Sequence, residues 1–246
     1  MAVNIDRVYQ KVLALANKEQ RGYITPQEFN LFADHAQMEI FDQYFYDLDQ
    51  RQRGTGNMLD YADIQSNIEA KISAFEEYDQ IFSFSSYGSV DLNGIPDLYK
   101  LGMIRVDYQT EQFFQQAEEI QLKELAAGDS PLTEWTKSRP VYTVMSSSGA
   151  PGIKIKVYPN PTPGDRVLVS YTRSPKIPKW TYLIGNNQNA LYNPAAGDHQ
   201  DFELHISEEP KLVVKILQLA GINMKDYNLA QLAGQKEISV IQQEKQ

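Results

Sequence analysis

Apolar residues recur every three or four positions over the first third of the chain, and beyond that the pattern turns to alternation. From Ile5 to Ala16 the run Ile5, Val8, Tyr9, Val12, Leu13 and Leu15 predicts an amphipathic helix that stops at Gly22. "YITPQEFN" predicts a fresh start, with Thr25 as N-cap, Pro26 at the first helical position and Glu28 three residues after the cap. That second helix runs to Leu48, with Phe29, Phe32, Ala33, Ala36, Ile40, Phe41, Tyr44 and Phe45 along one broad face. "RQRGTGN" breaks it, and Ile64, Ile68, Ile72 and Phe75 predict a third helix from Asp60 to Tyr78. Three helices with connections of this length point to an antiparallel bundle.

After Tyr78 the serine-rich "QIFSFSSYGSVDLN" alternates imperfectly, and a strand is expected at Met103 to Tyr108. "TEQFFQQAEEIQLKELAAGDSP" reads as a helix ended by Gly128 and Pro131. A connection from Thr133 to Arg139 leads to a strand at "PVYTVMSSS". From Gly152 to Trp180 two alternating runs follow, one with Ile153, Ile155 and Val157 on a face, the other with Val167, Val169 and Tyr171. Joined by "PNPTPGD", they predict a β-hairpin with a long Pro/Gly loop. A short strand is expected at Thr181 to Ile184. Ser207 is the expected cap of a late helix with Glu208 and Glu209 at its positive end, Pro210 in its first turn and Gly221 at its stop. A further helix with a polar end is expected after it.

The fold expectation is therefore α+β, a helical bundle with an inserted antiparallel β-element. Its parts are helical residues 1–80, a mixed region 81–206 with the hairpin over about 141–184, and C-terminal helices 207–246, together one composite domain. No internal repeat of solenoid period is present.

Charge and composition narrow the function classes. With 23 basic against 32 acidic residues the net charge is −9, unfavourable for a general nucleic-acid binder. Like charge suits a surface past which DNA moves without adhering. With 0 cysteines, disulfides, thiolate catalysis and cysteine-ligated zinc are excluded. The amphipathic, charged start is not expected to act as a signal peptide, and no stretch reaches the roughly 20 apolar residues of a membrane span.

Catalytic signals are weak. A calcium loop starting at Asp47 would place Arg51, Gln52 and Met58 where an oxygen ligand, a glycine and a bidentate glutamate are required. His35, His199 and His205 lack a second histidine at helical spacing. Asp198, His199 and His205 are the residues a hydrolase would use, although "DHQDFELH" reads more simply as a polar turn entering the last helices. Ser146 to Gly149 lacks the nucleophile-elbow pattern, and neither a Walker A loop nor a dinucleotide fingerprint is present. The pairs Glu76-Glu77 and Glu118-Glu119 read as solvated helix faces. No catalytic, cofactor or metal residue is assigned.

Three segments carry a resemblance. "ANKEQRGYITPQEFNLFADHAQMEIFDQYF", "IKIKVYPNPTPGDRVLVSYTRSPKIPKWTY" and "LYNPAAGDHQDFELHISEEPKLVVKILQLAGI", in that order and spacing, resemble the ring or head–tail connector (neck) proteins of crAss-like and related short-tailed bacteriophages. The likeness covers about 17–45 and 140–222, and the middle, 80–139, takes no part in it. It implies a non-enzymatic virion structural protein, assembled in the host bacterial cytoplasm. The subunit would form a homo-oligomeric ring of about twelve copies below the portal protein. It would join an adjacent ring or tail protein and pass genomic DNA through its lumen without specific binding, with no cofactor and no membrane partner. On that reading the hairpin makes inter-subunit contacts through Tyr158, Pro159, Pro161 and Pro163, and "SPKIPKW" sets Trp180 and Tyr182 against a neighbour. Trp180 packed on its own helices stands as the alternative. So does a monomeric adaptor or scaffold in place of a ring subunit.

Overall fold

The computed structural model describes residues 2–18, 24–53, 59–85, 88–95, 97–109, 113–125, 134–146, 152–162, 164–185, 190–223 and 235, with side chains left out at 51–65 and 222–223. The chain divides into two compact units, one of Met1–Ala74 with Pro175–Gln246, the other Phe75–Ser174.

The first unit holds α1 (Ile5–Lys18), α2 (Pro26–Arg53), α3 (Leu59–Ile72) and α4 (Glu209–Asn223). Strand β1 (Ala2–Val3) pairs antiparallel with β11 (Phe202–His205), and β9 (Tyr182–Ile184) with β10 (Ala190–Tyr192). The expected start of α2 forms as a reciprocal cap. The Glu28 N–H donates to Thr25 Oγ1 at 3.3 Å, and the Thr25 N–H donates to Glu28 Oε2 at 3.0 Å. Ile5, Val8, Val12, Phe29, Phe41, Leu212 and Ile216 are fully buried where α1 and α2 meet α4. Each is stabilised by about 1.5–3 kcal/mol relative to exposure. Helix α3 ends six residues before the expected Tyr78, passing through a 3₁₀ turn at Ser73–Phe75 into a strand. Ser73 Oγ donates back to the Ala70 carbonyl at 2.9 Å, a local bond that competes with helix continuation. The expected stop at Gly22 and the helix after Asn223 lie outside the described residues. The backbone over Asp47–Arg53 is part of α2 rather than a calcium loop. No helix among the described residues is long and apolar enough to cross a membrane.

The start of α4 differs from expectation. A 3₁₀ turn, Ile206–Glu208, precedes it, capped by His205, whose ring Nδ1 accepts from the Ser207 N–H at 3.3 Å. Ser207 therefore sits inside the turn. Glu208 and Glu209 stand at the helix start as expected, but as buried acids, 1% and 5% exposed. Glu208 meets Lys71 at 2.5 Å and Lys211 at 3.4 Å; Glu209 meets Lys11 at 2.5 Å and Arg7 at 3.0 Å. Burial pushes the Glu208 carboxyl up, but the Lys71 hydrogen bond and the charges of Lys211 and Lys71 together outweigh it. The net shift is downward from 4.5. A carboxylate with a depressed folded pKa contributes stability that is complete above pH 4.5 and is lost as pH falls through the folded value. Lys71→Met removes the main opposing interaction, so its acid-unfolding midpoint is expected at a higher pH than wild type. Circular dichroism across pH 2–6 checks this, on the scale set by carboxylate titration. An unchanged midpoint would refute the assignment.

The second unit corrects the expected bundle with an inserted antiparallel β-element. It is a seven-stranded mixed sheet in its own right, in the order β2-β8-β4-β5-β6-β7-β3. The strands are β2 (Glu76–Ser83), β3 (Ser89–Asp91), β4 (Leu98–Tyr108), β5 (Phe113–Glu119), β6 (Val141–Ser146), β7 (Ile153–Tyr158) and β8 (Arg166–Arg173). Part of the segment expected as a helix from Thr110 is β5. Its residues Phe113–Glu119 pair antiparallel with β4, then parallel with β6 through Glu118↔Val141. Ala117 turns inward, 4% exposed, between outward Gln116 and Glu118. The two-residue period is present, but the helix-favouring Gln, Ala and Glu mask it; cross-strand packing overrides propensity. Glu118-Glu119 thus stands on a strand, as does Glu76-Glu77.

The Gly152–Trp180 hairpin does not form. β7 pairs with β6 and β3, and β8 with β2 and β4, so three strands separate the two arms in the sheet order. The alternation was real, since Ile155, Val157, Val167 and Val169 are all 0% exposed. Alternation specifies a buried face, not a partner. The sheet curls so that both arms, with Val90, Ile104, Val106 and Tyr108, share one core. Its edge strands β2 and β3 close at one corner, where the Ser85 N–H donates to the Ser89 carbonyl at 2.7 Å. Gly88, at φ 69°, makes this corner possible: a Cβ there would lie 2.6 Å from Pro161 Cδ.

Candidate functional site

The resemblance places its contact residues on both units. Tyr158 ends β7 half-buried, with Lys156 Nζ 4.9 Å above its ring. Pro159 and Pro161 lie in the β7–β8 connection, and Pro163 falls outside the described residues. Trp180 and Tyr182 belong to the first unit.

Trp180 is 2% exposed and is committed to its own unit. Its ring centroid lies 4.3 Å from Tyr9, 5.7 Å from Tyr182 and 5.8 Å from Tyr192, the latter two stacked. The indole N–H donates to Asp6 Oδ1 at 2.9 Å. Asn30 grips the backbone, accepting from the Trp180 N–H at 2.8 Å and donating to its carbonyl at 3.1 Å. The backbone bridge Lys179↔Gln200 and the Asn193 N–H to Thr181 carbonyl bond hold the flanks. The arm therefore does not offer Trp180 to a neighbour; it uses the residue as an anchor.

What the anchor holds is a two-stranded ribbon with two unlike faces. Tyr182 and Tyr192 are paired across β9 and β10, and both stack on Trp180. Alternation puts the next pair, Leu183 and Leu191, on the opposite face. They are 61% and 59% exposed, and Ile184 at the end of β9 is 74% exposed. Ile177, on the approach to Trp180, is 68% exposed. Leu183 and Leu191 thus form one outward apolar pair, on strands whose other face stacks on Trp180 through Tyr182 and Tyr192. Scattered exposed leucines are ordinary; a directly paired set on a pinned ribbon marks a contact surface.

The sequence concealed this face. "WTYLIG" and "ALYN" show alternation, but aromatic and aliphatic residues look equally fit for the core. Only the stacking on Trp180 decides that the tyrosines turn in.

The residues set aside for a hydrolase are each engaged by other partners. Lys179 Nζ meets Asp198 Oδ2 at 2.5 Å, and that hydrogen bond holds the exposed carboxyl below the usual range, which weakens it as a base. His199 Nε2 lies 3.3 Å from Tyr192 Oη and 3.8 Å from Asp201 Oδ1. His205 caps the 3₁₀ turn, with Nδ1 3.0 Å from Ser207 Oγ. His35 is exposed on α2. Among the described residues no hydrogen bond links Asp198, His199 and His205 into a relay, and no group of three His, Asp or Glu side chains is placed to hold a metal ion. The serine run after Ser146 lies outside the described residues.

No family model matches the chain, and no curated protein matches it.

Proposed function

We infer that this chain is a structural subunit that works by assembling, with the outer face of the β9–β10 ribbon as a contact surface. The observation that carries the reading is the exposed Leu183–Leu191 pair, on a ribbon whose opposite face stacks on a buried tryptophan. A hydrophobic surface held rigid loses little conformational entropy when a partner covers it.

The resemblance to head–tail connectors of short-tailed bacteriophages supplies the assembly. The subunit is one of about twelve in a ring closed by heterologous contacts. The ring sits between the portal protein and an adjacent ring or tail protein in the virion, and genomic DNA passes through its lumen. The net charge of −9 suits a wall that DNA must not adhere to. In this reading Trp180, buried in its own unit, positions the ribbon, and the leucines meet the neighbour.

Quantitative mass spectrometry of purified particles tests this reading. The expected result is a copy ratio to the portal protein of about one, as matched cyclic symmetry requires. Absence from the particles, or a large excess over the portal, overturns it.

A further inference from the structure

In this sequence only Asn93 is an asparagine followed by glycine, and the pair Asn93–Gly94 stands at the tip of the turn that follows edge strand β3. The Ile95 N–H closes the turn by donating to the Leu92 carbonyl at 3.0 Å. Asn93 and Gly94 are its two central residues, and both are exposed. Neither space nor backbone conformation accounts for the glycine. A Cβ at Gly94 would meet nothing within 4 Å, and its φ lies outside the left-handed region. What glycine supplies is a backbone nitrogen with no side chain crowding it, directly after an amide side chain long enough to close a ring onto it.

That sequence permits an intramolecular displacement. The Gly94 nitrogen, after losing its proton to solvent, attacks Asn93 Cγ; the new C–N bond closes a succinimide, and the side-chain nitrogen leaves as ammonia. Water then opens the ring at either carbonyl. One opening gives aspartate. The other gives isoaspartate, in which the main chain runs through the former side chain and is one methylene longer. The turn is badly placed to absorb that extra atom. Leu92, 1% exposed in the core of the sheet, donates its N–H to the Ile153 carbonyl at 3.0 Å, and the Asn93 N–H donates to Asp91 Oδ1 at 3.0 Å. The Asn93 side chain lies against the entry to β7, where a Cβ added at Gly152 would fall 1.4 Å from Asn93 Oδ1. Strand β3 has three residues and sits at the end of the sheet order beside β7, so this turn holds its C-terminal end. We propose that Asn93 is a site of spontaneous deamidation, and that its conversion to isoaspartate releases β3 from β7. The site lies wholly in the second unit and does not depend on the assembly reading.

The test is incubation of the full-length chain in mildly alkaline buffer, followed by peptide mass spectrometry and enzymatic methylation of isoaspartate. Isoaspartate is expected to accumulate at Asn93 ahead of every other asparagine. Gly94→Ala is expected to slow it by about tenfold or more, since a Cβ crowds the attacking nitrogen. Because that Cβ meets no neighbour, Gly94→Ala is expected to match wild type in urea unfolding, which separates the chemistry from the fold. Hydrogen exchange at Leu92 and across β3 is expected to quicken in the aged wild-type chain and to stay slow in Gly94→Ala aged alongside it. An intact Asn93 after incubation, an unchanged rate in Gly94→Ala, or slow exchange at Leu92 and β3 in chains that carry isoaspartate would each overturn the proposal.

Discussion

Replacing Trp180 with alanine is expected to cost about 3–5 kcal/mol of stability, the range for deleting a large buried aromatic. The effect has three sources. The indole is 2% exposed, so its apolar surface is lost from the core of its unit. Tyr9, Tyr182 and Tyr192 each lose a ring partner. Asp6 Oδ1 loses the indole donor at 2.9 Å. Trp180→Phe separates these contributions: it keeps most of the ring packing, loses the N–H, and is expected to cost about 1–3 kcal/mol. Urea unfolding followed by tyrosine fluorescence and far-UV circular dichroism measures both. A cost under about 1 kcal/mol for Trp180→Ala, the level of an ordinary surface change, would mean the residue does not anchor its unit. Since the ribbon rests on Trp180, the alanine variant is also expected to lose any assembly that depends on Leu183 and Leu191.

The double variant Leu183→Asp/Leu191→Asp tests the ribbon without touching its anchor. Both side chains face solvent, so the isolated chain is expected to keep its stability to within about 0.5 kcal/mol. Association is where the change appears. Each leucine desolvated in a contact contributes about 1.5–3 kcal/mol, and two of them amount to at least about a hundredfold in affinity. Two introduced carboxylates add a desolvation penalty in the same direction. Sedimentation velocity with purified portal protein is the measurement, with wild type co-sedimenting and the variant remaining free. A variant that assembles as wild type does removes the ribbon from the contact. A variant that unfolds as an isolated chain shows instead that the leucines belong to the fold.

These two experiments rest on features of unequal visibility in the sequence. The Thr25–Glu28 cap was legible because its chemistry is local: two side chains and two backbone groups within four residues complete it. The buried face of α1 was legible because its period is built into the backbone. β5 was not, since Gln, Ala and Glu favour helix and only pairing with β4 and β6 makes the strand win. The ribbon's outward leucines were not legible either, since only the stacking of Tyr182 and Tyr192 on Trp180 decides which face turns out.

The segment Gly152–Trp180 sets out the same division within one stretch of chain. Its alternation alone determines that Ile155, Val157, Val167 and Val169 are buried, because a period of two sends every second side chain to one face. It determines that the connection between them is a turn, because proline and glycine cannot continue a central strand. Tertiary structure decided the rest: that β7 and β8 separate into different strand pairs of a seven-stranded sheet, and that Trp180 faces inward while Leu183 faces out. The physical reason is that burying a face lowers free energy whichever strand lies alongside. Partner choice therefore depends on the packing of the whole unit, and a two-residue period carries no record of it.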